Sequence, residues 1–399
     1  MENKINIAMF SDSFYPIIGG RENVIHNIMT SLNNKSNSFL LTTTFNGHKQ
    51  FIQDKDLPYK VNRCKSLRIT KNEYLSIIDR KTKNLIKDKL KNGEIDIIHT
   101  QTKYALTKYA LKLGKKYNIP VITSAHTNYL EQYKNQLKLP IIYKPFLRYV
   151  RNIINKTNGV ITVSKHMEKI LQQLGIEIPI KIIPNGNDMS QFSFSKSELD
   201  KTLIKYNLQN EQNIFIYVGR ITETKNLTFL FNSLKILKDK NINFKFIIVG
   251  GGEIDKYKKI ASALSITNNC LFTGPILDRE ELAKLYFSST LNLYPSTGES
   301  FGLTIRESGT MGTPSVVIEN CATAEDIIDK QNGFISTLDE TSFAETIIYA
   351  LQDKNALQEV SKNAQTSFNQ SWDNIADKHI NYYMKIIKDF KEQKNTLSK

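Results

Sequence analysis

Short apolar, β-branched runs alternate with longer amphipathic stretches along the whole of this chain, and no other feature limits its fold so strongly. The runs fall at residues 5–10, 38–43, 95–99, 120–124, 159–163 and 180–184. After a polar stretch at 187–205 they resume at 214–219, 244–250, 271–273, 291–295 and 315–318. Apolar strands of this length separated by helices build parallel sheets covered on both faces. Two series, each opening with its own strand–glycine turn, predict two doubly wound domains rather than one very wide sheet. The expected organisation is an α/β first domain over 1–186, a second over 187–370 and a terminal helix with a basic tail over 371–399. The boundary falls near 185–191. Ligands of such sheets bind beyond the carboxyl ends of the strands, so two domains facing one another predict an interdomain cleft.

The 399 residues suffice for two domains with sizeable cores, and 40% apolar against 23% charged content is that of a soluble protein. No run approaches the roughly 18 apolar residues of a membrane span. The start, from Met1 to Phe10, runs straight into a strand without the layout of a signal peptide. Cys64, Cys270 and Cys321 are far apart, which argues against a disulfide framework or a structural zinc and places the chain in the cytoplasm.

Net charge is +15, but residues 1–186 carry 30 basic and 13 acidic side chains while 187–399 carry 24 and 26. A basic first half beside a nearly neutral second half points to an anionic partner for the first: an anionic membrane surface, a polyanionic polymer or nucleic acid. A Lys-rich composition is the competing explanation, and it does not account for the neutral half. Tyr143 to Ile154 mixes basic and apolar residues at helical spacing, as an interfacial helix would, or as a helix packed on its own core would. In the terminal helix, near 371–391, Trp372, Ile375, Ile380, Tyr383, Met384 and Ile387 form an apolar stripe that would finish the second domain or pack back on the first.

The chemistry concentrates in Thr297-Gly298-Glu299-Ser300-Phe301-Gly302-Leu303-Thr304-Ile305-Arg306-Glu307. Tyr294-Pro295-Ser296 closes a strand and 301–311 reads as a helix, so 298–302 is a strand-to-helix turn offering N–H groups and a positive dipole end to an anion. Glu299 and Glu307 would flank that anion. Carboxylates repel phosphate but accept hydrogen bonds from hydroxyls, which suggests a sugar nucleotide. An acidic cap with a solvated Glu would give the same spacing.

Four further strand ends bear on this. Asp12 to Gly20 ends in the pair Gly19-Gly20 before a helix near Arg21, which is a phosphate approach or a plain tight turn. Val218-Gly219-Arg220 with Lys225 supplies an Arg fork and a Lys charge suited to a diphosphate, or two ordinary surface cations. His126 in Ser124-Ala125-His126-Thr127 is catalytic or structural. Gly250 in Val249-Gly250-Gly251-Gly252 serves close packing or nucleotide approach. Asp54-Lys55-Asp56 reads as solvated charge, and there is no HExxH, GxSxG or Walker A motif, so no metal site is expected.

In order, Gly19-Gly20, Gly219-Arg220 with Lys225, and Glu299-x7-Glu307 resemble the retaining glycosyltransferases of family 4, which have the GT-B fold of two Rossmann-like domains. Ser164, Pro184-Asn185-Gly186-Asn187-Asp188, Gly312-Thr313-Pro314-Ser315 and the Trp372 helix, which in that family crosses back to the first domain, fit the same pattern. The resemblance implies that the Gly20 N–H meets the distal phosphate of a nucleotide-diphospho-sugar donor. Arg220 and Lys225 would neutralise the leaving diphosphate without a divalent metal or other cofactor. Glu299 would accept from sugar hydroxyls beside the N–H groups of the Ser300, Phe301, Gly302 and Leu303 segment. Leu303 and Thr304 would reach the phosphates, Glu307 the ribose, and His126 would orient the sugar. Asn226 stands where the family usually has Gly, and Arg21 where a small residue is commoner.

The expected activity is transfer of a hexose-type sugar, from a UDP-sugar by preference, to a lipid, lipid-linked or cell-envelope glycan acceptor. The protein would be cytoplasmic and peripheral to the inner face of the membrane. A soluble or protein acceptor is the alternative, as is a GT-B sugar-nucleotide epimerase, for which no acid/base pair is evident. Nucleic acid is not an expected partner, because no recognised motif accompanies the basic half.

Overall fold

The computed structural model describes residues 4–17, 19–45, 54–68, 74–102, 104–137 and 139–397; Ile18 of the Asp12–Gly20 loop and the last two residues of the basic tail lie outside them. The chain forms two compact units, one of Met1–Asn185 with Trp372–Lys399 and one of Gly186–Ser371.

In the first unit the strands are β1 (Asn6–Phe10), β2 (Asn37–Thr43), β3 (Lys60–Arg68), β4 (Tyr74–Ile77), β5 (Ile97–Thr100), β6 (Val121–Ala125), β7 (Gly159–Thr162) and β8 (Ile180–Ile182). They form one sheet in the order β4-β3-β2-β1-β5-β6-β7-β8, parallel except for the antiparallel pair β3–β4. Strand β3 reads Lys-Val-Asn-Arg-Cys-Lys-Ser-Leu-Arg, and only Cys64 in it is buried. A strand that buries one side chain carries no apolar run, so neither β3 nor its partner was foreseen. Strand order reverses between β1 and β5. The loops after these strands are tied there by Asp12, whose carboxylate accepts from Thr102 Oγ1 (2.6 Å), the Leu106 N–H (3.2 Å) and Ser76.

In the second unit β9 (Ile214–Val218), β10 (Lys245–Val249), β11 (Cys270–Gly274), β12 (Leu291–Tyr294), β13 (Ser315–Ile318) and β14 (Phe334–Ser336) form an all-parallel sheet in the order β11-β10-β9-β12-β13-β14. Its core gathers Phe215, Phe231, Phe246, Leu293, Val316 and Phe343. Here the order reverses between β9 and β12, so the loops leaving those strands flank the switch point where open α/β sheets take their ligands.

The structure narrows what the sequence left open about two helices and shifts the buried face of one. The terminal helix runs Trp372–Leu397 and buries Trp372, Ile375, Ala376, His379, Tyr382, Tyr383 and Ile386. Met384 is 59% exposed, so the buried stripe is rotated from the one read in the sequence. Polar-tipped side chains carry much of that face, and a purely apolar count passes over them. The helix belongs with the first unit, where Lys35 ion-pairs with Asp377 (2.6 Å) and donates to the Asp373 carbonyl (3.0 Å).

The helix Pro140–Ile154 packs Leu147, Val150, Ile153 and Ile154 inward, so most of the apolar residues read as interfacial belong to the core. The exposed apolar groups lie just before it and in its first half: Leu139, Ile141, Ile142 and Phe146. The Asp54–Asp56 turn is not solvated charge alone, because Asp54 accepts a two-pronged bond from Arg63 (2.7 and 2.8 Å).

Candidate active site

In the second unit, β9 ends at Val218 and the Tyr217 hydroxyl donates to the Arg220 carbonyl (2.9 Å), fixing the turn that carries Arg220 into solvent. One 3-10 turn, Glu223–Lys225, leads to Asn226 and the helix Leu227–Asp239. Asn226 has φ 54°, a left-handed conformation that asparagine tolerates nearly as well as glycine, which explains how it stands in the usual glycine position. Its amide also donates to the Pro295 carbonyl (3.0 Å), knitting the β9 loop to the β12 loop.

That junction places Lys225 Nζ against Glu299 Oε1 in a largely buried ion pair. The Tyr294 hydroxyl (2.7 Å) and Ser296 Oγ (3.3 Å) donate to the same carboxylate oxygen. Burial drives the Glu299 pKa up, but the Lys225 charge and these hydrogen bonds outweigh it and hold the carboxyl below its ordinary value. Glu299 is therefore an ionised acceptor at neutral pH, with a neighbouring cation able to answer a second anion.

The helix after Glu299 runs Leu303–Thr310, two residues later than expected, because Gly302 takes φ 74° as its N-cap. Phe301 is buried, and the Arg306 guanidinium lies over its ring (3.6 Å to the centroid). Arg306 also donates to the Phe301 and Gly302 carbonyls and pairs with Asp326. With those carbonyls engaged, the unpaired N–H groups of the first turn are what remains for an anion near Leu303 and Thr304.

Glu307, on the second turn, is tied down more firmly than its spacing suggested. Its Oε1 accepts from Arg279 Nη2 (2.7 Å) and its Oε2 from the Tyr286 hydroxyl (3.3 Å). Arg279 in turn forks onto Asp188 (2.5 and 3.0 Å). Burial pushes the Glu307 carboxyl above its ordinary value, with Arg279 opposing it. Gly250 has φ 148°, and a Cβ there would run into the Gly219 carbonyl. Close packing of the β9 and β10 turns therefore requires a glycine at this position.

The first unit holds Gly19, Gly20 and His126. Gly19 caps the helix Gly20–Lys35 in extended backbone, and Gly20 is exposed. Glu22, which the sequence reading passed over, sits buried in that first turn and accepts from Ser13 (2.5 Å) and Arg21 (3.0 Å). An acidic group suits the positive helix end. His126 follows β6, partly buried, with Nε2 2.7 Å from Gln101 Oε1. Burial first, then the charges of Arg21 and His379, push its pKa down to about 3.

Sequence reasoning therefore missed Arg279, Asp188, Tyr294, Arg306, Glu22 and Gln101 as members of these sites. Asp188 lay in the quoted Pro184–Asp188 stretch and Arg306 beside Glu307, which were the available signals; nothing near Arg279 marked it. Among the described residues no cluster of three His, Cys, Asp or Glu could hold a metal ion, and no helix is long and apolar enough to cross a membrane.

Family models agree with this architecture in both halves. That for glycosyl transferases group 1 matches residues 200–367, and that for glycosyltransferase family 4 matches 18–191. The chain belongs to the family 4-type glycosyltransferases and has their GT-B fold. It is 28% identical over 346 residues to the alpha-monoglucosyldiacylglycerol synthase of Streptococcus pneumoniae, covering 82% of this chain and 74% of that one. It is 24% identical over 381 residues to the enzyme of the same name from Acholeplasma laidlawii, covering 91% and 92%. Among solved structures, Anabaena HepE in complex with UDP superposes with a TM-score of 0.74 at 18% identity, covering 98% of this chain and 100% of that one.

Proposed function

We propose that this glycosyltransferase moves a hexose from a UDP-sugar to a diacylglycerol-type or other lipid-linked acceptor, with retention and without a divalent metal. The carrying observation is the Lys225–Glu299 pair at the β9/β12 switch point: an acceptor for sugar hydroxyls beside a cation for the diphosphate. The synthases named for diacylglycerol glucosides support the lipid acceptor, and the HepE–UDP complex supports the uridine nucleotide.

In this reading Lys225 and the exposed Arg220 supply the positive charge that a metal provides elsewhere, and stabilise the leaving diphosphate as its bond to the anomeric carbon breaks. The acceptor oxygen bonds to that carbon on the same face, and its proton passes to the departing phosphate. Glu299 and neutral His126 hold the sugar. The N–H groups near Gly20, Leu303 and Thr304 face phosphates, and Glu307 takes the ribose hydroxyls while Arg279 orients its carboxylate.

The acceptor side rests on the first unit. Lys108, Lys112, Lys115 and Lys156 line one groove with Leu111, Tyr149, Asn152 and Ile153. No carboxylate pairs with these four lysines among the described residues, so an anionic headgroup layer would compensate them. Ile142 and Phe146 are exposed and, at spacings of four and three residues, share a face of the helix Pro140–Ile154 with Tyr149 of that groove. The chain would thus work as a cytoplasmic, membrane-peripheral protein.

The test is transfer from UDP- and GDP-sugars to diacylglycerol in mixed vesicles, with EDTA present and the product's anomeric configuration read by NMR. Retained configuration from a UDP-sugar is expected. Activity that requires metal, prefers GDP-sugars or acts only on soluble acceptors would overturn the corresponding part. Salt-insensitive or absent sedimentation with anionic vesicles would remove the membrane surface.

A further inference from the structure

Behind His126 in the first unit lies a buried polar cluster that no step above uses. His99 and Gln101 project from one face of β5 and its end, and Ser124 and His126 from the adjoining face of β6 and its end. The terminal helix adds His379 and Tyr383, one turn apart. His99 and Tyr383 are wholly buried, and Gln101, Ser124 and His379 nearly so. So many polar groups in a core are stable only if each finds a partner.

Their donors and acceptors assign a direction. Gln101 Oε1 can only accept, so the His126 Nε2 at 2.7 Å carries the proton. The Gln101 amide nitrogen can only donate; it lies nearer His99 Nε2 (3.2 Å) than Nδ1 (3.4 Å), and 2.9 Å from Met9 Sδ. With that donor nearer to it, His99 Nε2 is the bare nitrogen of the ring, and the Ser124 hydroxyl at 2.8 Å is free to turn its proton toward it. The proton of the neutral His99 ring then sits on Nδ1 and is donated to the Tyr383 oxygen at 2.7 Å. Followed outward from the terminal helix, the chain Tyr383–His99–Gln101–His126 leaves His126 with a bare Nδ1.

We infer that Tyr383, His99 and Gln101 are positioning residues that fix His126 in its Nε2–H tautomer, so that its Nδ1 is presented as an acceptor for a donor-sugar hydroxyl. This rests on the reading above that His126 meets the sugar. It gives the terminal helix a part in catalysis: its seat against β5 sets the tautomer of a residue on β6. The groups bearing on His126 are Arg21 of the helix Gly20–Lys35, His379 of the terminal helix and, through Gln101, His99 of β5. The Arg21 charge, and His379 once it is protonated, disfavour an imidazolium.

The experiment combines ¹⁵N-histidine NMR on the full-length protein with kinetics of Tyr383→Phe, Gln101→Leu, Gln101→Glu and His126→Asn. His126→Asn assigns the resonances. In the wild type the His126 signal is that of the Nε2–H tautomer and does not titrate between pH 5 and 8. Tyr383→Phe and Gln101→Leu mix the tautomers and lower kcat roughly tenfold while donor KM changes less than about twofold. Gln101→Glu keeps an acceptor oxygen and restores the tautomer, but its carboxylate favours the imidazolium and adds a titrating limb near neutrality. A purely structural role would move none of these signatures. If Tyr383→Phe and Gln101→Leu keep both the tautomer and kcat while His126→Asn is inactive, the relay is wrong and the site stands. If His126→Asn is fully active, the sugar-contact reading falls, and the tautomer signal alone decides the relay.

Discussion

Lys225 and Glu299, 74 residues apart in sequence, meet as an ion pair where the loops leaving β9 and β12 are knitted together in the second unit. Each is mostly buried, with 15% and 19% of its side chain exposed. Burial makes the pair structural, the proposed function gives it a catalytic duty as well, and the two are separable by substitution.

Lys225→Met leaves the Glu299 carboxylate with only the Tyr294 and Ser296 hydroxyls. It should lower stability by about 1–3 kcal/mol and transfer by about 100-fold or more. Glu299→Gln should be comparably inactive. The double variant should recover most of the lost stability, because no buried charge is stranded, and none of the activity. Urea melts and kcat/KM on the three variants check this. An active Lys225→Met enzyme refutes the role given to Lys225.

The pH dependence of stability follows from Glu299. Its folded-state pKa is depressed, so its contribution is fully present above the unfolded value of about 4.3 and is lost as pH falls through the lower folded value. Wild type should exceed Glu299→Gln in stability at pH 6, with the difference shrinking steadily below about pH 4.3. Thermal melts of both proteins across pH 3–7 measure it, and a constant gap contradicts the assignment.

Arg279 is the residue on which Glu307 depends. Arg279→Met should strand a buried carboxylate and cost about 1–3 kcal/mol, with Glu307→Gln in the same background restoring part of it. If Glu307 also holds the ribose, Arg279→Met should raise donor KM more than it lowers kcat. Isothermal titration with UDP separates these effects, and unaltered UDP affinity would show that Arg279 does not orient the ribose site.

Gly250→Ala should destabilise through backbone alone. The added Cβ meets the Gly219 carbonyl in a conformation that side chains rarely adopt. A loss of about 2 kcal/mol or more is expected, with donor KM unchanged in the protein that remains folded. Selective loss of UDP binding at full stability would return Gly250 to the nucleotide.

The sequence was most legible where burial is periodic. Strands β1, β2, β5 to β7, β9, β10, β12 and β13 bury most of their residues, and their apolar runs announce them, as do the runs of the less buried β8 and β11; β3, β4 and the three-residue β14 carry no such run and did not. The Glu299–Glu307 spacing, Gly19-Gly20, Arg220 and Lys225 could be picked out because they occupy strand-end loops and the opening turns of the helices that follow, where local chemistry alone marks a residue. Arg279, Asp188 and Gln101 could not, since their meaning comes from partners distant in the chain.

By itself, then, the order of residues determined the alternation of strands and helices, the division into two α/β halves and the short motifs at strand ends, because these depend on spacing within a few residues. Only the tertiary structure decided that Lys225 holds Glu299, that Arg279 bridges Asp188 and Glu307, and that Tyr383 stands behind His126. Such pairings arise when sheet order brings remote loops together and burial obliges each polar group to find a partner, and no local pattern records which partner that will be.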